Sequence, residues 1–228
     1  MNSEPLRSPR PERRVEAVIF DFDGLLIDTE TTLLQSWTFE WAAWGLEISK
    51  EGFFADHGGD VTEERFAKLA DAVGPSFRRD VSEKRRLAFR AGLHEDLELN
   101  PGVGAWLQEA NQLGLRLAVA SSSPRAWIVE HLERVGVLDR FEVLACGDEV
   151  DVPKPNPAVY KLCLGRLGLA AHAAIAVEDT PHGVSAAQAA GLRCIAIPNP
   201  YINPDKVAHA DLTLPSASEQ PLASAFRR

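Results

Sequence analysis

Cysteine is scarce: three residues in 228, Cys146, Cys163 and Cys194, lie far apart and in no CxxC or Cys/His ligand spacing. A dispersed, odd-numbered set argues against a disulfide framework and for a reducing, cytoplasmic setting. Long apolar runs are also missing. None approaches the roughly 20 residues that a membrane-spanning helix needs, so no membrane partner is expected. Positive charge is in deficit, with 24 Lys and Arg against 33 Asp and Glu and a formal net charge of -9. That balance disfavours a nucleic-acid surface, where affinity rests on cations neutralising phosphates. It also means that an anionic ligand is repelled unless a cation intervenes, which points to a metal. The six histidines form no metal-binding spacing, and no internal repeat or low-complexity segment is present. Residues 1–14 are rich in Pro, Arg, Ser and Glu and hold no apolar stretch, so they read as a flexible tail and not as a signal peptide.

With 45% hydrophobic residues, the chain can bury one core plus a small inserted domain. Short apolar runs at 15–20, 115–120, 141–145, 174–177, 193–197 and, more weakly, 212–214 alternate with helical periodicity. This pattern predicts an α/β fold with a doubly wound parallel sheet. After four of these strands comes a polar or acidic cluster: Asp21 and Asp23, the serines 121–123, Gly147 with Asp148, and Glu178 with Asp179. All would lie at strand carboxyl ends, where open α/β sheets bind ligands. Ser123-Pro124 and Asn156-Pro157 look like helix N-caps followed by a first-turn proline, and Gly191 suits the end of the alanine-rich run at 184–190. About 95 residues separate the first two strands, far more than a crossover needs. Helical patterns at 33–44, 62–73 and 82–91 therefore predict an inserted helical domain over 30–99, with the core at 15–29 and 100–228. Trp37, Trp41 and Trp44 are spaced for one helix face.

Asp21-Phe22-Asp23-Gly24-Leu25-Leu26-Ile27-Asp28-Thr29-Glu30 directly follows the first strand. This segment resembles motif I of the haloacid dehalogenase superfamily, in the group with a helical cap inserted after motif I and a Rossmann-like core. The other motifs follow in the expected order: Ser121 ending the second strand, Lys154 in Lys-Pro-Asn-Pro, and Glu178-Asp179 ending the fourth. The resemblance implies that Asp21 is a nucleophile forming an aspartyl-phosphate. It implies that Asp23 is the general acid/base, and that Ser121 and Lys154 hold the phosphoryl oxygens. Ser122 would add a contact. Asp21, Asp179, Glu178 and the Asp23 backbone carbonyl would bind Mg²⁺, Glu178 directly or through water. His57, in a glycine-rich cap loop, would face the substrate, and His182 would lie close by. Trp37 could touch substrate. Lys84, Arg85 and Arg86 could hold an anion. Asp28 reads as structural.

An Asp at position 23 favours phosphate esters, since the family's dehalogenases and phosphonatases carry none there. The motif I segment and Glu178-Asp179-Thr180-Pro181-His182-Gly183 look like the subgroup of β-phosphoglucomutases and sugar-phosphate phosphatases. In those mutases a His follows motif I and an Arg sits in the cap loop. Here the first position is Leu33 and the loop at 58–63 has no Arg. Hydrolysis of a small phosphorylated metabolite is the favoured reading, a sugar phosphomutase the alternative. A receiver-like phospho-Asp signalling domain is a distant third, lacking a cap. A monomer is the default.

Overall fold

The computed structural model describes residues 15–49, 53 and 61–226. Six parallel strands form one sheet: β1 (Ala17–Phe20), β2 (Arg116–Ala120), β3 (Val143–Ala145), β4 (Ala174–Glu178), β5 (Arg193–Ala196) and β6 (Leu212–Thr213). Their order is β3-β2-β1-β4-β5-β6. Each expected strand is present with its ends trimmed by up to two residues, except that β4 runs one residue further, through Glu178.

Alternation along the buried strands builds two cores, one on each face. Val18 and Phe20 of β1 join one layer with Val103, Trp106 and Leu107 of α4 (Val103–Gln112) and Ile128 and Leu132 of α5 (Arg125–Arg134). Ala17 and Ile19 join the other with Val159, Tyr160 and Cys163 of α6 (Ala158–Leu167) and Val184, Ala186 and Ala187 of α7 (Pro181–Ala189). The second face is tiled with Ala118, Ala120, Ala145, Ala174, Ala176 and Ala196. With so little side-chain bulk on the sheet, α6 and α7 can approach closely. Each large apolar side chain buried here contributes about 2 kcal/mol relative to exposure.

Between β1 and β2 come three inserted helices, α1 (Thr29–Ala42), α2 (Thr62–Val73) and α3 (Arg79–Glu95). Helix α1 starts four residues before the expected position because Asp28 caps it, accepting from Thr31 N at 2.9 Å and Thr31 Oγ1 at 2.7 Å. Helix α3 outruns the expected 82–91 at both ends, running from Arg79 to Glu95. Trp37 meets Phe66 edge to face at 4.6 Å, and Phe39 stacks on Phe89 at 4.0 Å. The two chain crossings between these helices and the sheet are tied together. Asn100 Nδ2 donates to Gly24 O and Leu25 O, both at 2.9 Å, and Ile27 bridges to Leu99.

Helix α5 corrects a sequence expectation. Pro124, not Ser123, is its N-cap, and Arg125 N donates to Asp148 Oδ1 at 3.1 Å. The Ser123 hydroxyl is used elsewhere. Helix α6 likewise begins one residue late, with Asn156 Oδ1 accepting from Ala158 N at 3.0 Å. Gly191 follows α7 as the sequence suggested. No helix among the described residues is long and apolar enough to cross a membrane. All three cysteines are free and buried.

Candidate active site

Neighbouring strands end on one edge and bring distant residues together. β1 delivers Asp21, β2 delivers Ser121 and β4 ends in Glu178-Asp179, while Lys154 arrives on the loop before α6. Gly24 turns the chain away from β1 with φ +79°, and a Cβ there would stand 2.3 Å from Asp179 Oδ2. Only glycine meets both demands.

Lys154 is the hub of the buried cluster. Its Nζ donates to Asp21 Oδ1 at 2.5 Å, Glu178 Oε1 at 2.6 Å and Ala120 O at 2.8 Å. Burial alone would lower the Lys154 pKa, but Asp21 and Glu178 outweigh it and raise it, so the ammonium stays charged. Burial pushes the Asp21 carboxyl up to about 8, against the downward pull of Lys154. Glu178, fully buried, also accepts from Tyr160 OH at 2.7 Å and Asp179 N at 3.2 Å. Burial first, and Asp21 next, raise Asp179 well above the usual carboxylate range.

Asp21, Glu178 and Asp179 place one oxygen each within 4.8 Å of one another. The Lys154 ammonium bonds two of these three carboxylates, Asp21 and Glu178. One oxygen of Asp179, Oδ1, is buried without a hydrogen-bond partner, while Oδ2 accepts from Asn199 Nδ2 at 2.7 Å. Excess buried negative charge and an orphaned hard oxygen fit a divalent cation such as Mg²⁺. The Glu178 oxygens are already committed to Lys154, Tyr160 and Asp179 N.

Asp23 stands outside that trio. Its Oδ1 accepts from Thr29 Oγ1 at 2.8 Å and from Trp127 Nε1 at 3.0 Å, and its Oδ2 accepts from Ser123 Oγ at 2.5 Å. Among the metal-binding acids expected from sequence, Asp23 can therefore offer its backbone carbonyl but not a free carboxylate. Ser121 Oγ accepts from Ser123 N at 3.0 Å, which orients it.

A cavity of about 840 Å³ opens over these groups, lined by Asp21, Asp23, the serines 121–123, Lys154, Asp179 and His182. From the inserted helices come Glu30, Leu33, Trp41, Arg65, Lys68 and Arg90. Burial pushes the Glu30 carboxyl up to about 7. The cations suggested from sequence are elsewhere. Lys84 is exposed, Arg85 pairs with Glu40 at 2.6 Å, and Arg86 lies over the Trp37 ring at 4.5 Å. Arg65, Lys68 and Arg90 take their place on the wall because the helices turn those faces inward. Trp37 is fully buried in the cap, and Trp41 reaches the cavity instead. His57 lies outside the described residues, as do residues 1–14. Trp127 and Asn199 were not anticipated. The one cue for Trp127 is its place in the first turn of the helix that follows the serine-bearing strand.

A doubly wound sheet, an inserted helical cap and a buried acid–lysine cluster at the strand ends define a class of capped α/β hydrolases. The chain belongs to the haloacid dehalogenase-like hydrolase family, whose model matches residues 18–197. It is 34% identical to YhcW of Bacillus subtilis (strain 168), provisionally named a phosphatase, over 92% of this chain and 95% of that protein. It is 31% identical to hexitol phosphatase B of Escherichia coli (strain K12), over 91% and 95%. The crystal structure of CbbY from Rhodobacter sphaeroides in complex with phosphate superposes with a TM-score of 0.73 at 31% identity, over 92% of this chain and 98% of that one.

Proposed function

We propose that the protein is a Mg²⁺-dependent phosphatase that hydrolyses a small phosphorylated metabolite, a sugar phosphate, through an aspartyl-phosphate on Asp21. What carries this reading is the meeting of Asp21, Lys154 and the orphaned Asp179 oxygen beneath a cavity sized for a small metabolite. Asp21, Asp179 and the Asp23 carbonyl would hold the metal, with Glu178 acting through water or through Lys154. Bound Mg²⁺ would let two anions meet and would stabilise charge on the equatorial phosphoryl oxygens.

An Asp21 oxygen attacks phosphorus, and the bond from phosphorus to the ester oxygen breaks. Asp23 gives its proton to that oxygen, releasing an alcohol. Water then attacks the same phosphorus, Asp23 takes a proton from it, and the bond to Asp21 breaks, releasing phosphate. Lys154 and Ser121 hold the transferring oxygens throughout.

Hydrolysis is favoured over transfer to a second sugar hydroxyl because apolar Leu33 lines the cavity, where resemblance to the mutases would put a histidine. The name of hexitol phosphatase B supports a polyhydroxylated leaving group. Three free, buried cysteines support a reducing cytoplasm. The test is a screen of phosphorylated metabolites with Mg²⁺, reading released phosphate. Release from one or more sugar phosphates is expected, with Asp21→Asn inactive. No release from any compound, or wild-type turnover by Asp21→Asn, would overturn the reading. Conversion of β-glucose 1-phosphate to glucose 6-phosphate without phosphate release would make it a mutase.

A further inference from the structure

We propose that Trp127 is a positioning residue that decides which oxygen of Asp23 carries the exchanged proton. The inference rests on the phosphatase reading above and adds to it a residue that no motif contains.

The partners of Asp23 differ in what they can do. An indole N–H donates and never accepts, whereas a hydroxyl does either. Trp127 Nε1 lies 3.0 Å from Asp23 Oδ1, which Thr29 Oγ1 also meets at 2.8 Å. A proton on Oδ1 would have to point at Thr29 Oγ1, and the indole N–H, which cannot reverse, would then meet a carboxylic hydroxyl oxygen, a weaker acceptor than the carbonyl oxygen. Oδ2 faces Ser123 Oγ at 2.5 Å, and that hydroxyl can accept from a protonated oxygen or donate to an ionised one. Trp127 therefore keeps Oδ1 an acceptor in both protonation states and assigns the proton to Oδ2. In the first step the Oδ2–H bond breaks as hydrogen passes to the ester oxygen and the bond from that oxygen to phosphorus breaks. In the second, Oδ2 receives hydrogen from the attacking water.

The indole cannot easily turn away from this task. His131, one turn further along α5, lies 4.0 Å from it, ring centre to ring centre. From α3 of the cap, His94 meets it edge to face at 5.1 Å, and the Arg90 guanidinium stands 5.1 Å from its centre. His131 Nε2 and His94 Nδ1 are 3.3 Å apart, closing the cage across the two helices. A rigid ring held from both sides fixes the direction of its one N–H.

The test removes the N–H donor while keeping the ring system. Benzothienylalanine at position 127 keeps the bicyclic shape and replaces N–H by sulfur, and Trp127→Phe serves as a second variant. Two substrates separate the step concerned. An alkyl phosphate needs its leaving oxygen protonated, whereas p-nitrophenyl phosphate expels a stable anion without help. Because kcat/KM reports the steps up to leaving-group departure, it should fall about tenfold or more for the alkyl phosphate and change less than about twofold for the nitrophenyl ester. Equal losses on both substrates, or no loss on either, would overturn the proposal. Asp21→Asn distinguishes the two levels. If that variant is inactive while substitution at 127 shows no selective loss, only the role of Trp127 falls. If Asp21→Asn turns over normally, the aspartate-nucleophile reading falls first.

Discussion

At Asp21, burial and charge pull in opposite directions: the dry strand end raises its carboxyl, and Lys154 at 2.5 Å pulls it down. Lys154 is in turn steered by Glu178, and the position of Glu178 depends on a residue with no side chain. A Cβ at Gly183 would fall 1.9 Å from Glu178 Oε2 and 2.1 Å from Oε1. Gly183→Ala must therefore displace Glu178 and with it one anchor of the Lys154 ammonium. Misplacing a catalytic group by about an ångström costs on the order of 10²-fold. A loss of that order in kcat with a folded protein by circular dichroism is the expected outcome, and unchanged kcat would show that Glu178 does not steer Lys154. At this scale the sequence was informative where a motif is local. Asp21, Asp23, Ser121, Lys154, Glu178 and Asp179 all reach one strand edge, because each sits within a few residues of a strand end or its loop. Trp127 was illegible: its bond to Asp23 spans 104 positions, and helical periodicity says nothing about what an indole N–H will find.

Among the elements, strands were easier to locate than helices. A buried parallel strand is apolar on both faces, so its run marks its own length. A helix boundary is set by its cap, and α1 begins where the Asp28 side chain accepts the Thr31 amide. Which way a helix faces was harder still. Arg85 and Arg86 lie within the cap helix pair, and Arg90 one turn further along α3 reaches the cavity. The α1–α3 pair depends on one buried acid. Glu40 accepts from Ser82 Oγ at 2.5 Å, Trp44 Nε1 at 2.8 Å, and Arg85 Nε and Nη2 at 2.8 and 2.6 Å. These donors hold its carboxyl below the usual range, although burial by itself would raise it. Glu40→Ala leaves a buried hydroxyl and a guanidinium that is 33% exposed without this partner, at a cost of about 2 to 3 kcal/mol. Urea denaturation should show that loss, and a shift below about 0.5 kcal/mol would mean the four contacts contribute little.

For the whole molecule, the boundary between cap and core carries a pH signature. His94 on α3 packs against Trp127 and His131 of α5, with its Nε2 3.0 Å from Thr32 Oγ1. Burial lowers its pKa from 6.5 to about 4, so the folded protein keeps it neutral where the unfolded chain would protonate it. Between those values the unfolded state binds more protons, so this contribution is fully present above about pH 6.5 and is lost as pH falls toward 4. Thermal melts should show the wild type losing more Tm than His94→Gln over that interval, and parallel curves would contradict the linkage. The net charge of -9 sets a requirement at larger scale: under the proposed function, an acidic protein would receive a phosphate with the help of a cation.

That requirement leads back to Asp21, and one measurement addresses it directly. During turnover of a sugar phosphate with Mg²⁺, rapid quenching followed by borohydride reduction converts an aspartyl-phosphate to homoserine, and peptide mass spectrometry locates it. The account predicts homoserine at position 21, formed only in the presence of substrate and absent from Asp21→Asn. Phosphate release with residue 21 recovered intact, or a reduced residue elsewhere, would contradict it.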